Sequence, residues 1–252
     1  MRGLRAALAF LTRVPVGSFD GDDPGRSLPW FPVVGALVGL VVAGVYAGAL
    51  QLVPALAAAA VAVAIGVLLT GAFHEDGLAD TADALGAWEP EEARRILKDP
   101  NHGTYGVSAL VLVLLVRVTA LSALGGWSAL AVLPATHALA RAASLSMLTA
   151  TPAATDEGLG ALYAARAGRK RVWVAMAAGL AITLASVGPV LLPVAVLLAS
   201  FGAAGVTRVG SRRVGGITGD VLGAAEQIAE TLVLLMGAAV ASHRWVALPW
   251  WR

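Results

Sequence analysis

The sequence predicts an all-α polytopic membrane protein with about seven transmembrane helices. Of its 252 residues, 58% are hydrophobic and 13% are charged, and the mean hydropathy is +0.78. A soluble domain carries about 25% charged residues, so this composition indicates a chain that lies mostly in a lipid bilayer. The length accommodates roughly six to eight spans of about 20 residues. We therefore expect residues 1–252 to form a single integral membrane domain.

The N-terminal segment predicts an amphipathic helix at the membrane interface. Leu4, Leu8 and Leu11 recur at helical spacing among three arginines. The apolar stretch before Arg13 is too short for a signal peptide. This helix should lie on the membrane, and Trp30 should mark the headgroup level where the first span begins.

Seven apolar segments follow that are long enough to cross a bilayer, or nearly so. They lie at residues 31–52, 54–73, 107–124, 127–148, 172–188, 191–207 and 221–242. The fifth and sixth segments meet at Gly188-Pro189, which predicts a hinge. Arg117 and Arg141 lie inside predicted spans, where a charge costs at least about 2.5 kcal/mol. Each arginine should therefore pair with an acid or with an anionic substrate.

Charged and uncharged loops alternate along the chain. Fourteen of the 18 lysines and arginines lie in the N-terminal segment and in the loops after the second, fourth and sixth spans. The positive-inside bias then predicts a cytoplasmic N-terminus and an external C-terminus. The carboxylates lie on the same side, so active-site loops at about residues 74–106, 149–171 and 208–220 should face the cytoplasm. This one-sided charge favours an enzyme over a transporter, which would place ionisable groups near the midplane.

Composition also excludes some functions. A net charge of +2 gives no indication of nucleic-acid binding. Cysteine is absent, which excludes disulfides, thiol catalysis and metal sites with cysteine ligands.

An acidic motif, His-Glu-Asp-Gly-Leu-Ala-Asp-Thr-Ala-Asp at residues 74–83, follows the second predicted span. On a helix, Asp76, Asp80 and Asp83 fall within an arc of about 60°. Like charges at this spacing destabilise a helix by a few tenths of a kcal/mol, so a cation should lie among them. Mg²⁺ is the natural candidate because it binds carboxylate, water and phosphate oxygens. The alternative is a solvated acidic helix end that the helix dipole favours. His74 is a candidate base, a metal ligand or a polar helix start.

Two glycine-rich turns indicate phosphate binding on the same side of the membrane. Lys98 precedes the turn at residues 103–106, and Arg213 precedes the turn at residues 215–220, where Asp220 opens a helix that continues to Glu230. Glycine lets backbone N–H groups approach an anion closely. Ordinary helix-entry turns are the alternative interpretation.

Together these motifs resemble the cobalamin synthase family, also called adenosylcobinamide-GDP ribazoletransferases, along nearly the whole chain. The resemblance rests on residues 10–15, 31–35, 74–83, 98–106 and 215–230. Two segments depart from the family pattern. Pro100, Asn101 and His102 stand where serine, a basic residue and an aliphatic residue are frequent, and Gln227 stands where an acid is frequent.

The resemblance implies Mg²⁺-dependent phosphoryl transfer in the last stage of vitamin B12 nucleotide-loop assembly. Adenosylcobinamide-GDP would be joined to α-ribazole, or to its 5′-phosphate, with release of GMP. The ribazole 3′-hydroxyl would attack the phosphorus nearest cobinamide, and GMP would leave in line. The expected partners are these substrates and the lipid bilayer, and a homo-oligomer or association with other cobalamin-assembly enzymes is left open.

The resemblance also implies roles for individual residues. The implied Mg²⁺ ligands are Asp76, Asp80 and Asp83, which are also candidate catalytic residues together with Asp220, Glu230 and His74. Asp220 and Glu230 would form a second metal site or supply a base. The candidate substrate-binding residues are Lys98, Arg213, Arg141, Gly103, Tyr105, Gly216 and Thr218.

Other readings of the acidic motif remain. A CDP-alcohol phosphatidyltransferase expects Ala-Arg where residues 78–80 read Leu-Ala-Asp, and a prenyltransferase expects two aspartate-rich loops. From a different class, a corrinoid or metal-ion transporter would move its cargo without producing GMP.

Overall fold

A computed structural model describes residues 2–17, 23–156 and 158–251, and these ranges are built from helices. Within them lie α1 (Arg2–Leu11), α2 (Phe31–Ala49), α3 (Ala55–Thr70), α4 (Phe73–Ala84), α5 (Pro90–Ile96), α6 (Thr104–Ser122), α7 (Gly126–Met147), α8 (Gly158–Ala167), α9 (Arg169–Val214) and α10 (Gly219–His243). Two 3₁₀ turns, Pro24–Arg26 and Leu28–Trp30, precede α2. The predicted all-α class is confirmed.

Several helices of the described ranges are long and apolar enough to cross a membrane. Four satisfy this by length and composition: α6, α9, α10, and α2 together with the turns before it. A fifth is counted if α3 and α4 form one bent span. The multi-pass membrane character is therefore confirmed. The count of seven stays a prediction, because it requires α9 to cross twice and α7 to cross with His137 and Arg141 inside it.

The predicted hinge is present within α9, which extends over 46 residues. Gly188 has φ of 80° and ψ of 173°, so the helix breaks there before continuing from Pro189. Glycine adopts a positive φ without steric cost, and proline cannot donate the backbone hydrogen bond that would continue the turn. The segment therefore forms two helices that meet at an angle.

The central helix is α7, which packs against α2, α9 and α10. Glycines let the backbones of α2 and α7 approach closely: a Cβ atom on Gly35 or Gly39 would lie 2.6 Å or 2.5 Å from the backbone oxygen of His137 or Leu133. Small residues support such close packing between membrane helices. The side chains of His137 and Arg141 are consequently enclosed within the bundle.

The chain turns sharply between α3 and α4, by 91°. Gly71 and Ala72 both adopt the left-handed conformation, with φ of 68° and 57°. The turn separates α4, whose sequence is far more polar, from the direction of the apolar α3. The sequence pattern predicted the motif after an apolar segment but gave no indication of the turn.

Two short helices lie in segments that the sequence predicted only as polar loops. Glu91 and Glu92 lie in the first turn of α5, and Arg94 and Arg95 lie in its last turn, as the helix dipole favours. The second helix is α8, which shares a hydrophobic cluster with α1, the start of α2 and the end of α7. The predicted amphipathic N-terminal helix is present as α1.

Candidate active site

An acidic cluster forms where α4 meets the turn before α6. Asp76 and Asp80 lie one helical turn apart, and His102 lies against both. Nε2 of His102 is 3.6 Å from Oδ1 of Asp76, and Nδ1 is 3.3 Å from Oδ1 of Asp80. One ligand atom from each of the three residues lies within 4.8 Å of the other two, so together they could hold a metal ion.

The electrostatics of the cluster also suit a cation. The pKa of Asp80 is raised to about 6, first by burial and then by the carboxylates of Asp76 and Asp220, although His102 opposes them. A divalent cation would relieve the repulsion among these carboxylates. Carboxylate oxygens are typical Mg²⁺ ligands, whereas the imidazole would also suit other divalent metals.

Asp220 reaches the cluster because α10 packs closely against α4. A Cβ atom on Gly77 would lie 2.9 Å from the backbone oxygen of Asp220, and a Cβ atom on Gly223 would lie 3.4 Å from Cα of His74. Glycines on both helices therefore permit the contact. The fold brings together two motifs that are far apart in the sequence.

Asp83 has different neighbours. Its carboxylate accepts hydrogen bonds from the backbone N–H groups of Gly103, at 2.7 Å, and Gly106, at 2.8 Å. These amides belong to the start of α6, where backbone N–H groups lack partners within the helix. These contacts give the Asp83 carboxylate and the Gly103 amide hydrogen-bond partners within the protein. Neither group needs a ligand for this purpose, and their roles in metal and phosphate binding stay predictions. Tyr105, in the same turn, is exposed.

A cleft of about 570 Å³ opens beside the cluster. Asp76 and Asp220 line it together with three cationic residues, Arg94, Arg95 and Lys98. Among these, Arg94 donates hydrogen bonds to the backbone oxygen of Val214 and to Glu91. Acidic and basic side chains thus share one cleft, as a magnesium-bound phosphate group requires.

The second glycine-rich turn contributes Thr218 to this cleft. Thr218 also caps α10, because its Oγ1 accepts a hydrogen bond from the N–H of Val221 at 3.2 Å. Gly216 packs against the neighbouring loop, where a Cβ atom would lie 2.5 Å from the backbone nitrogen of Ala154. Arg213 donates to the backbone oxygen of Ala87 at 3.0 Å. The predicted substrate contacts of Gly216 and Arg213 stay predictions, since both already stabilise the turn.

A second polar cluster lies inside the helical bundle. Nη1 of Arg141 is 2.7 Å from Oε1 of Glu226, and Nδ1 of His137 is 2.8 Å from Oε2 of Glu230. Arg117 contacts Glu230 directly. The expectation that Arg117 and Arg141 pair with acids is therefore confirmed.

The same cluster connects the helices that carry the cleft. Gln227 accepts a hydrogen bond from Arg117 at 2.6 Å and donates to Glu75 at 3.3 Å. His74 lies 3.5 Å from Glu226. These contacts link α4 and α6 to α10. Their buried charges need their partners, so we interpret the cluster as structural support, and the catalytic roles of Glu230 and His74 stay predictions.

His102 is the functional candidate that sequence reasoning missed. It lies in the segment 100–102 that departs from the family pattern, and its neighbours in sequence carry no metal-binding spacing. Arg95 is a second such residue, because a basic residue in a polar loop is ordinarily solvated. Only the fold shows that both face the acidic motif.

Comparison with known proteins agrees with these motifs. The family model described as cobalamin-5-phosphate synthase matches residues 3–238. The adenosylcobinamide-GDP ribazoletransferase of Bradyrhizobium diazoefficiens is 42% identical over 243 residues, which cover 94% of this chain and 93% of the relative. Proteins of the same name from Ralstonia nicotianae and Pseudomonas aeruginosa are 39% and 38% identical, covering 99% and 93% of this chain and 95% and 97% of their own lengths. No solved structure matches the chain.

Proposed function

The chain belongs to the cobalamin-5-phosphate synthase family, and we propose that its cleft joins adenosylcobinamide-GDP to α-ribazole, or to its 5′-phosphate, with release of GMP. One observation supports the site in particular. The cluster of Asp76, Asp80 and His102 adjoins a cleft that also holds Arg95 and Lys98. A diphosphate bound in this cleft would lie near both the cationic side chains and the candidate metal-binding residues.

We assign the metal site to Asp76, Asp80 and His102, with Asp220 beside them. When bound, Mg²⁺ would neutralise charge on the phosphoryl oxygens and lower the barrier to displacement. The carboxylates would hold the cation by electrostatic attraction, and relief of their mutual repulsion would add to the affinity. We also assign Asp83 a supporting role, because its two oxygens accept hydrogen bonds from the start of α6, and its role as a further ligand stays a prediction.

The chain's other residues orient the reaction. Lys98 and Arg95 bind the diphosphate and fix the phosphorus nearest cobinamide for in-line attack. A bond forms between the ribazole 3′-oxygen and that phosphorus, and the bond from the phosphorus to the oxygen of GMP breaks. Asp220 accepts the proton that the hydroxyl loses. GMP leaves with the oxygen that bridged the two phosphorus atoms of the diphosphate.

We place this cleft on the cytoplasmic side. The support is the concentration of lysine and arginine in the segments that surround it, which the positive-inside bias assigns to the cytoplasm. Both substrates carry charged phosphate or large polar groups, and neither crosses a bilayer readily. An active site facing the cytoplasm would receive them directly.

The proposal is tested by product formation with the purified chain in lipid nanodiscs. Incubation with adenosylcobinamide-GDP, α-ribazole and Mg²⁺ should yield GMP and cobalamin in equal amounts. Omitting α-ribazole should abolish GMP release. A corrinoid transporter would bind the first substrate without producing GMP, and that result would reject the proposal.

A further inference from the structure

Glu75 precedes Asp76 in the acidic motif but lies in a different environment. Successive residues of a helix point about 100° apart. The side chain of Asp76 is 63% exposed and lines the cleft, whereas that of Glu75 is 10% exposed and lies inside the helical bundle. A buried carboxylate is costly without partners, so the contacts that hold Glu75 need a physical explanation.

Two other helices supply these contacts. Oε1 of Glu75 lies 3.7 Å from Nη1 of Arg117, on α6, and accepts a hydrogen bond from Nε2 of Gln227, on α10, at 3.3 Å. Gln227 in turn accepts a hydrogen bond from Arg117 at 2.6 Å. Because a guanidinium group only donates and a carboxylate only accepts, these neighbours fix the orientation of the Gln227 amide. The three side chains therefore form one connected group that joins α4, α6 and α10.

The same three helices supply the candidate metal site. Asp76 and Asp80 lie on α4, His102 lies two residues before α6, and Asp220 lies in the first turn of α10. Glu75 is adjacent to Asp76 and contacts the two helices that bring His102 and Asp220 to it. The positions of these groups relative to one another thus depend on how the three helices are joined.

Stability does not explain why a carboxylate is present at this position. Within the described residues, the cluster contains three carboxylates and two arginines, namely Glu75, Glu226, Glu230, Arg117 and Arg141. Arg141 contacts Glu226 directly, and Arg117 contacts Glu230. Oε2 of Glu75 is buried and has no hydrogen-bond partner in the part of the chain that the structure describes. Glu75 is therefore the acid in excess, and removing its charge would leave two carboxylates facing two guanidinium groups.

We propose that Glu75 is a positioning residue of the metal site: from inside the bundle it holds α4 against α6 and α10, so that Asp76 keeps the orientation in which it binds Mg²⁺. This inference rests on the proposed function. In some proteins, buried polar groups select one arrangement of packed helices while adding little to stability. Glu75 itself does not line the cleft, so it acts through Asp76 rather than on the cation.

Direct Mg²⁺ binding tests this role independently of turnover. Calorimetric titration of the chain in nanodiscs should show that Glu75→Gln weakens Mg²⁺ binding by about tenfold, the lower end of the range found when groups that support a metal site are lost. Its Tm should stay unchanged, because the remaining charges of the cluster balance. Glu89→Gln is the matched control: it removes the same charge from an exposed residue outside the cleft and should leave Mg²⁺ binding unchanged.

Gln227→Leu provides a second variant, because it removes the amide that donates to Glu75 without changing any charge. It should also weaken Mg²⁺ binding, and the double variant should lose no more affinity than Glu75→Gln alone. Losses that multiply in the double variant would show that the two residues act independently and would overturn the inference. Unchanged Mg²⁺ binding by Glu75→Gln, with or without a lower Tm, would also overturn it and would indicate a purely structural role.

Failure of the proposed function would appear differently, as absence of GMP production by an unmodified chain that still binds Mg²⁺. In that case the binding titrations still test the role of Glu75 at the metal site. Absence of Mg²⁺ binding by the unmodified chain would reject the inference, because there would be no metal site for Glu75 to position.

Discussion

Nδ1 of His102 lies 3.3 Å from Oδ1 of Asp80, which joins the turn before α6 to the acidic motif of α4. The contact makes a prediction about metal affinity. His102→Gln removes one proposed ligand and should weaken Mg²⁺ binding by about tenfold to a hundredfold, the range found when groups that support a metal site are lost. Mg²⁺ titration of GMP release measures this effect.

His243→Gln is the matched control, because His243 is exposed at the far end of α10. It should leave the Mg²⁺ requirement unchanged. Equal Mg²⁺ dependence in the two variants would remove His102 from the site.

Asp83→Asn should chiefly affect stability. The carboxylate accepts two backbone hydrogen bonds at the start of α6, and an amide can accept only through its oxygen. The expected loss is about 1–2 kcal/mol, as for other helix caps. Asp76→Asn is the comparison: its side chain is exposed, and relief of repulsion should leave Tm unchanged or slightly higher.

Thermal unfolding in nanodiscs distinguishes the two interpretations of Asp83. A normal Tm together with weakened Mg²⁺ binding in Asp83→Asn would restore this residue as a metal ligand.

Much of the fold was predictable because apolar segments of bilayer length have few alternatives. Residues 31–52 and 221–242 correspond closely to α2 and α10, and Gly188-Pro189 marks the break within α9. The helices α5 and α8 were missed because both are short, seven and ten residues, and lie within segments whose flanking residues are polar. The 91° turn before α4 depends on Ala72, a residue type that rarely adopts a positive φ.

The site was predictable in part. The carboxylates of Asp76, Asp80 and Asp220 could be recognised because clustered acids near a membrane need a cation. The separate role of Asp83 could not be recognised from the sequence. Helical spacing places three acids on one face without showing which backbone amides lie nearby. The cost of a buried charge predicted that Arg141 pairs with an acid. The sequence did not indicate which acid, because the contact with Glu226 depends on how α7 packs against α10.

The buried pair of Arg141 and Glu226 predicts a large coupling. Glu226→Gln should destabilise the protein by about 3–5 kcal/mol, because it leaves Arg141 charged and less well compensated inside the bundle. Adding Arg141→Met should recover part of that loss. Unfolding free energies of the single and double variants measure the coupling directly.

Glu91→Gln is the control for this cycle. Glu91 pairs with Arg94 at 2.8 Å but is largely exposed, so its loss should cost less than about 1 kcal/mol. Equal effects of the two glutamate substitutions would show that the buried cluster contributes little to stability.

The orientation of the chain is tested by cysteine labelling. Because the chain has no native cysteine, only the introduced cysteine can react. Trp88 precedes α5 and Leu52 follows α2, and both side chains are exposed. Trp88→Cys should react only with reagent supplied from the cytoplasm, and Leu52→Cys only with reagent supplied from outside. Reaction of Trp88→Cys from outside intact cells would contradict the proposed cytoplasmic cleft.

The most direct test of the metal-dependent cleft is the rate of GMP release by Asp76→Asn and Asp80→Asn, each titrated with Mg²⁺. Each substitution preserves volume but removes a charge, so the fold should survive. We predict that turnover falls by orders of magnitude, since about 1.4 kcal/mol lost from the transition state is a tenfold loss of rate. High Mg²⁺ should restore part of the activity. Normal GMP release by both variants at ordinary Mg²⁺ concentrations would contradict the account.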